Sequence, residues 1–149
     1  MKQIKHMLIG SLVTLLVVIS ITAIAQINRP YKNGTVWNVS FIRIKPGMDV
    51  AYMNYLAGQW KKQQDALKSE GIIMSYKVLS TEAHGTGDWN LLLLTEYKDL
   101  ATMEANEDKA DALAQKVVGD DQKQMQGYKD RLEIREVMGT RLAREIAFK

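Results

Sequence analysis

No cysteine occurs anywhere in the 149 residues, and only two histidines and two prolines do. The missing thiol excludes a disulfide framework, thiol catalysis, thiolate metal sites and a lipid-modified cysteine. One histidine, His6, falls in the N-terminal leader described below, which leaves His84 alone. Histidine-rich zinc or iron centres are therefore excluded, and a Ser-His-Asp triad could be built only on His84. Gly-x-Gly-x-x-Gly loops, phosphate loops, zinc-ligand spacings and nucleophile elbows are all absent, so no cofactor is expected. Met74, Met103, Met125 and Met138 are scattered, without the Met-x-Met clustering of a copper site.

An excess of one charge sign is lacking as well. The chain has 20 Lys and Arg against 17 Asp and Glu. Lys2 and Lys5 belong to the leader, and without them 18 basic residues face 17 acidic ones, a net +1. Acidic and basic residues alternate with no basic stripe, which argues against nucleic acid as a partner.

What is present begins with residues 1–25, MKQIKHMLIGSLVTLLVVISITAIA. Lys2, Lys5 and His6 form a basic start, Leu8 to Ile24 is an uncharged apolar run, and Ala23-Ile24-Ala25 ends it with small residues two apart. This is the pattern of a secretory signal peptide cleaved between Ala25 and Gln26, and it predicts a periplasmic or secreted protein. The alternative is an uncleaved anchor, since the run is at the short end of what crosses a bilayer. Membrane contact is expected only through such an unprocessed leader.

The remaining chain has room for one domain. Residues 26–34, with Pro30, Asn33 and Gly34, read as a flexible lead-in, and residues 35–149 as the folded domain. Thr35 to Lys45 is rich in β-branched and aromatic residues and ends at the turn signal Pro46-Gly47, which predicts a strand. Asp49 is placed to cap a helix from Val50 to about Glu70, with Val50, Met53, Leu56, Trp60 and Leu67 as its apolar stripe. Gly71 suits its left-handed end. Ile72 to Thr81 predicts a second strand, residues 82–88 a loop, and Trp89 to Tyr97 a third strand, apolar on both faces and therefore central. A helix is expected over about 100–118. A third helix follows, capped by Asp120 or Asp121, running to about Val137 and ended by Gly139. Thr140 to Phe148 predicts the last strand.

Strand, helix, strand, strand, helix with an extra helix, strand is the order of an α+β ferredoxin-like sandwich. It implies a four-stranded antiparallel sheet with helices on one face and the first and third strands in the middle. The run Ile44-Lys45-Pro46-Gly47 before a long helix resembles the dimeric α/β-barrel superfamily. So do the Gly87-Asp88-Trp89-Asn90 entry to the third strand and the closing Arg141-Leu142-Ala143-Arg144-Glu145-Ile146. That superfamily includes NIPSNAP-like and antibiotic-biosynthesis-monooxygenase-like proteins. The resemblance implies a homodimer in which two sheets face each other and a small ligand sits between them.

On that reading Trp37, Val39, Phe41, Trp89, Leu91 and Leu93 pack under the helices. The opposite face then carries Asn38, Ser40, Ile42, Asn90, Leu92, Leu94 and Glu96, an apolar surface with a few hydrogen-bonding groups. Asn38, Ser40, Asn90 and Glu96 are the candidate ligand-binding residues, with Tyr76 and Arg144 joining from the outer strands. His84, flanked by Gly85 and Gly87, is the candidate general base. Three functions follow. The first is an exported homodimer binding a small, partly apolar molecule. The second is a cofactor-independent monooxygenase- or isomerase-like enzyme using His84. The third is a purely structural dimer.

Overall fold

The computed structural model describes residues 29–85 and 87–149. The leader expected over residues 1–25 lies outside the described residues, as does the first part of the lead-in. Within them the main unit comprises Asn33–Ala147. The described part of the other unit, residues 29–32 with Phe148 and Lys149, is held by the Lys149 N–H donating to the Pro30 carbonyl at 3.0 Å.

The elements are β1 (Tyr31–Ile44), α1 (Asp49–Tyr55), a π-helical turn (Leu56–Trp60), α2 (Lys61–Ser69), β2 (Ser75–Ser80), β3 (Leu91–Tyr97), α3 (Leu100–Ala105), α4 (Glu107–Val117), α5 (Asp121–Leu132) and β4 (Arg135–Phe148). The strands form one sheet in the order β2-β3-β1-β4. β3 runs antiparallel to both neighbours, with Ile42 and Ser80 each opposite Leu91. Side-chain contacts of Thr35 with Glu145, Ser40 with Thr140 and Arg43 with Glu136 run in opposite directions along β1 and β4, so that pair is antiparallel too. This is the ferredoxin-like topology, with the first and third strands central as the order of elements predicts.

The boundaries shift where tertiary pairing overrides local pattern. β1 begins at Tyr31, so residues 31–34 are strand rather than lead-in. Asp49 is the first helical residue rather than the cap, and no side chain caps that helix. The expected second helix is divided at Asn106, whose amide donates to the Thr102 carbonyl at 2.7 Å. Asp120 caps α5 by accepting from the Lys123 N–H at 2.9 Å, but the helix stops at Leu132. The Ile134 carbonyl already accepts from the Lys45 N–H at 3.1 Å, and β4 starts at Arg135 with Gly139 inside it. Gly47 and Gly71 do what their turns require, at φ 78° and 69°.

The core has two parts. Ile42, Ile44, Tyr52, Leu56 and Leu91 form one cluster, with Val78, Leu93 and Ile134 packed against it. Leu67, Ile72 and Ile73 form the other, against Tyr97, Ala110 and Leu113. Each buried aliphatic side chain here contributes about 1.5–3 kcal/mol of transfer free energy.

These clusters show which face of the sheet meets the helices, and for β1 it is the reverse of the expectation. Val36, Ile42 and Ile44 are buried, so Asn38 and Ser40 lie on the helix side with them. Trp37, Val39 and Phe41 lie on the open face with Leu92 and Leu94, where the Phe41 and Trp89 rings meet edge to face at 5.3 Å. Both parities of β1 are apolar, so alternation alone does not choose between them. Ile42 pairs with Leu91, and paired residues share a face.

Candidate functional site

A cleft of about 370 Å³ opens on the helix side of the sheet. Ser40 and Ile42 of β1 and Leu93 of β3 form its floor, and Arg135, Val137 and Thr140 of β4 one flank. Tyr52 and Tyr55 of α1, Trp60 of the π-helical turn and Tyr128 of α5 supply aromatic walls. Two local irregularities assemble these groups. The wider π-helical turn brings Tyr52, Leu56 and Trp60, four residues apart, towards the same cluster, which a regular 3.6-residue helix would let drift. In β4 both Val137 and Thr140 line the cleft, although strict alternation sends residues three apart to opposite faces. Arg43 meets Glu136 while Ser40 meets Thr140, a one-residue offset that places a bulge around Met138-Gly139.

The polar groups of the cleft are poorly matched within the protein. Tyr52 is 0% exposed and its hydroxyl has no hydrogen-bond partner. Burial pushes its pKa up to about 12, opposed in part by the charge of Arg135, so the hydroxyl stays protonated and able to donate. Arg135 is 8% exposed, its Nε is unpartnered, and its guanidinium lies 5.6 Å from the Tyr52 ring centre. Arg131 repeats the theme, 4.8 Å over Tyr55 and 5.9 Å from Tyr128, with a buried, unpartnered Nε. Among the described residues the ion pairs are Arg43–Glu136, Lys61–Asp65 and Lys109–Glu70, so neither Arg135 in the cleft nor Arg131 beside it is neutralised by a carboxylate. Cation–π contact recovers about 0.5–2 kcal/mol for such a cation, less than a paired carboxylate would.

Of the candidate site residues read from the sequence (Asn38, Ser40, Tyr76, His84, Asn90, Glu96 and Arg144), only Ser40 lines the cleft; its hydroxyl sits 3.3 Å from that of Thr140. Asn38 is on the same side of the sheet, with a buried Oδ1 that has no partner. Tyr76 packs edge-on against Trp60 at 5.3 Å and donates to Asp65 at 2.5 Å. Asp65 also accepts from Lys61 at 2.5 Å, and the two donors hold its carboxyl below the usual carboxylate range. Asn90 is structural: its Oδ1 accepts from the Ile44 N–H at 2.9 Å. Glu96 lies on the open face and accepts from Ser75, and Arg144 is exposed on β4. The expected grouping of these residues on one ligand-binding face is therefore not formed, because β1 presents its other side.

His84 is exposed in the β2–β3 loop and does not reach the cleft. Its backbone N–H donates to Asp88 at 3.1 Å, and Asp88 also accepts from the Trp89 N–H at 3.0 Å, so this carboxylate braces the loop. Sequence patterning did not single out Tyr52, Tyr55 or Arg135, and marked Tyr128 only as an apolar position of the third helix. The one available signal was the Tyr52, Leu56, Trp60 spacing. Among the described residues no three His, Asp or Glu side chains converge as a metal site, and no helix is long and apolar enough to cross a membrane.

No family model and no curated protein sequence matches this chain. Among solved structures it is similar to HapK from Hahella chejuensis, at 12% identity and a TM-score of 0.49, covering 74% of this chain and 91% of that one. It is similar to a dimeric ferredoxin-like protein from an uncultured marine organism, at 14% identity, TM-score 0.49, and 78% and 96% coverage. A third likeness is to a dimeric protein of unknown function with a ferredoxin-like fold from Bacteroides fragilis NCTC 9343, at 15% identity, TM-score 0.41, and 77% and 97% coverage.

Proposed function

We propose that this protein is an exported homodimer of the dimeric α/β-barrel kind, NIPSNAP-like or antibiotic-biosynthesis-monooxygenase-like, that binds a small, partly apolar molecule. The ligand occupies the helix-side cleft rather than the space between two sheets. One observation carries this reading: an aromatic-walled cleft whose buried polar groups, the Tyr52 hydroxyl and the Arg135 Nε, have no partner in the protein. Buried polar groups are ordinarily hydrogen-bonded, so a cleft that leaves two unmatched is one that a ligand completes.

Self-association is supported by the open face. Trp37, Phe41, Leu92 and Leu94 lie there, opposite the side on which the helices pack, and a second sheet would cover them. Binding is favoured over turnover by the lining itself. Among the described residues it contains hydroxyls, an arginine and apolar groups, with no carboxylate, lysine or histidine to exchange a proton near neutral pH. Native mass spectrometry of protein taken from its own envelope fraction tests the reading. The expected species is a dimer carrying extra mass that is released on unfolding, whereas a bare monomer would count against both the dimer and the ligand.

A further inference from the structure

We propose that the cleft selects a carboxylate ligand: a small molecule with an aromatic or apolar body and one carboxylate, clamped by Arg135 and accepting a hydrogen bond from the Tyr52 hydroxyl. The inference rests on the reading of the cleft as a ligand site and adds the chemistry of what fills it. Arg135 as a residue is 8% exposed, its Nε is buried without a partner and it has no ion pair among the described residues, so its charge is poorly hydrated and offset only by the Tyr52 ring. An anion in the cleft supplies that compensation, and the planar fork of arginine matches the two oxygens of a carboxylate.

Three further features narrow the class. Tyr52 lines the same cleft, and its buried hydroxyl makes no hydrogen bond within the protein, so it is a donor in waiting for an acceptor oxygen. Arg131 adds a second positive charge from α5, held against the Tyr55 and Tyr128 rings. Among the described residues no acidic side chain lines the cleft. Glu136, next to Arg135 in β4, is engaged with Arg43, and Asp65 with Lys61 and Tyr76. The body of the ligand is set by Tyr55, Trp60, Tyr128 and Leu93, which present ring faces and aliphatic carbon. A volume of about 370 Å³ is near the lower end of ligand sites, which suits a molecule of one or two rings.

The experiment compares benzoate, phenylacetate and 2-naphthoate with their neutral amides on the purified full-length chain, by calorimetry and by Trp60-dependent fluorescence. At least one acid is expected to bind about tenfold or more tightly than its amide, as a charge-assisted hydrogen bond implies. Arg135→Met should abolish that preference. Tyr52→Phe should keep the fold and weaken the acid several-fold, so the test does not depend on the arginine variant folding. Equal binding of acid and amide would overturn the carboxylate proposal while leaving the cleft as a ligand site. Binding of neither would overturn both.

Discussion

Arg135, the first residue of β4, stacks its guanidinium over the ring of Tyr52 in α1, at 5.6 Å, and both side chains are buried with a polar atom unsatisfied. The pair joins the last strand to the first helix across the sheet. It also concentrates an unpaired cation and an unpaired hydroxyl at one point. Such an arrangement is costly for a fold that gains nothing from it, which is why its consequences can be measured.

The hydroxyl of Tyr52 should be dispensable for stability. Tyr52→Phe removes a buried group that makes no hydrogen bond and keeps the ring that Arg135 covers. The expected change in urea unfolding is zero to about 2 kcal/mol in favour of the variant. A loss of more than about 1 kcal/mol would mean the hydroxyl has a structural partner.

The same group sets an alkaline limit. The Tyr52 pKa is raised by burial from 10.0 to about 12, so between those values the native state holds a proton that the unfolded chain releases. Its contribution is fully present below pH 10 and is lost as pH rises through 12, about 2 to 3 kcal/mol in all. Burial raises Tyr97 as well, but that group is common to both proteins. Wild type should therefore lose more stability than Tyr52→Phe across this window in pH-dependent unfolding, and parallel curves would refute the assignment.

Arg135→Met in ligand-free protein should be neutral or stabilising, by up to about 3 kcal/mol, because it exchanges a buried unpaired charge for apolar volume of similar length. The gain would come with the loss of ligand binding, the usual trade between stability and a strained site. A marked loss of stability without ligand would instead make Arg135 a structural anchor.

Much of this fold was legible because its punctuation is chemical. Pro46-Gly47, Gly71 and the Asp120 cap mark ends that no packing could move far. The face of β1 was not legible, because Trp37, Val39 and Phe41 are as apolar as Val36, Ile42 and Ile44. Only the seat of Ile42 against Tyr52 and Leu91 decides it. The cleft was hidden for two reasons. The four-residue spacing of Tyr52, Leu56 and Trp60 blurs in a search for 3.6-residue periodicity, so Val50 and Met53, which are exposed, were drawn into the stripe instead. Arg131 and Arg135 are four residues apart and read as one helix face, whereas the chain leaves the helix between them. His84 drew attention by rarity, which says nothing of where a loop will hold it.

Glycine substitutions separate backbone freedom from space. Gly58 lies in the helical run with nothing within 4 Å of an added Cβ, so Gly58→Ala should stabilise by about 0.5–1 kcal/mol. Gly119 has φ of 124°, and its Cβ would meet the Lys123 side chain at 2.6 Å, so Gly119→Ala should destabilise by about 1 kcal/mol or more. Urea unfolding of the two variants should give shifts of opposite sign.

The open face provides the test of the dimer. Leu94 sits in β3 opposite Val39 on one side and Lys77 on the other, on the face that carries Trp37 and Phe41. Leu94→Asp would put one carboxylate from each chain into an apolar interface, where an unpaired charge costs several kcal/mol. A cost of about 3 kcal/mol corresponds to a rise of roughly a hundredfold in the dimer dissociation constant. Light scattering on a size column should then find the variant as a monomer at concentrations where wild type is a dimer. Its circular dichroism should be unchanged, because the helices and the core clusters lie on the other side of the sheet. A variant that remained dimeric would place the interface elsewhere and leave Trp37 and Phe41 without the cover proposed for them.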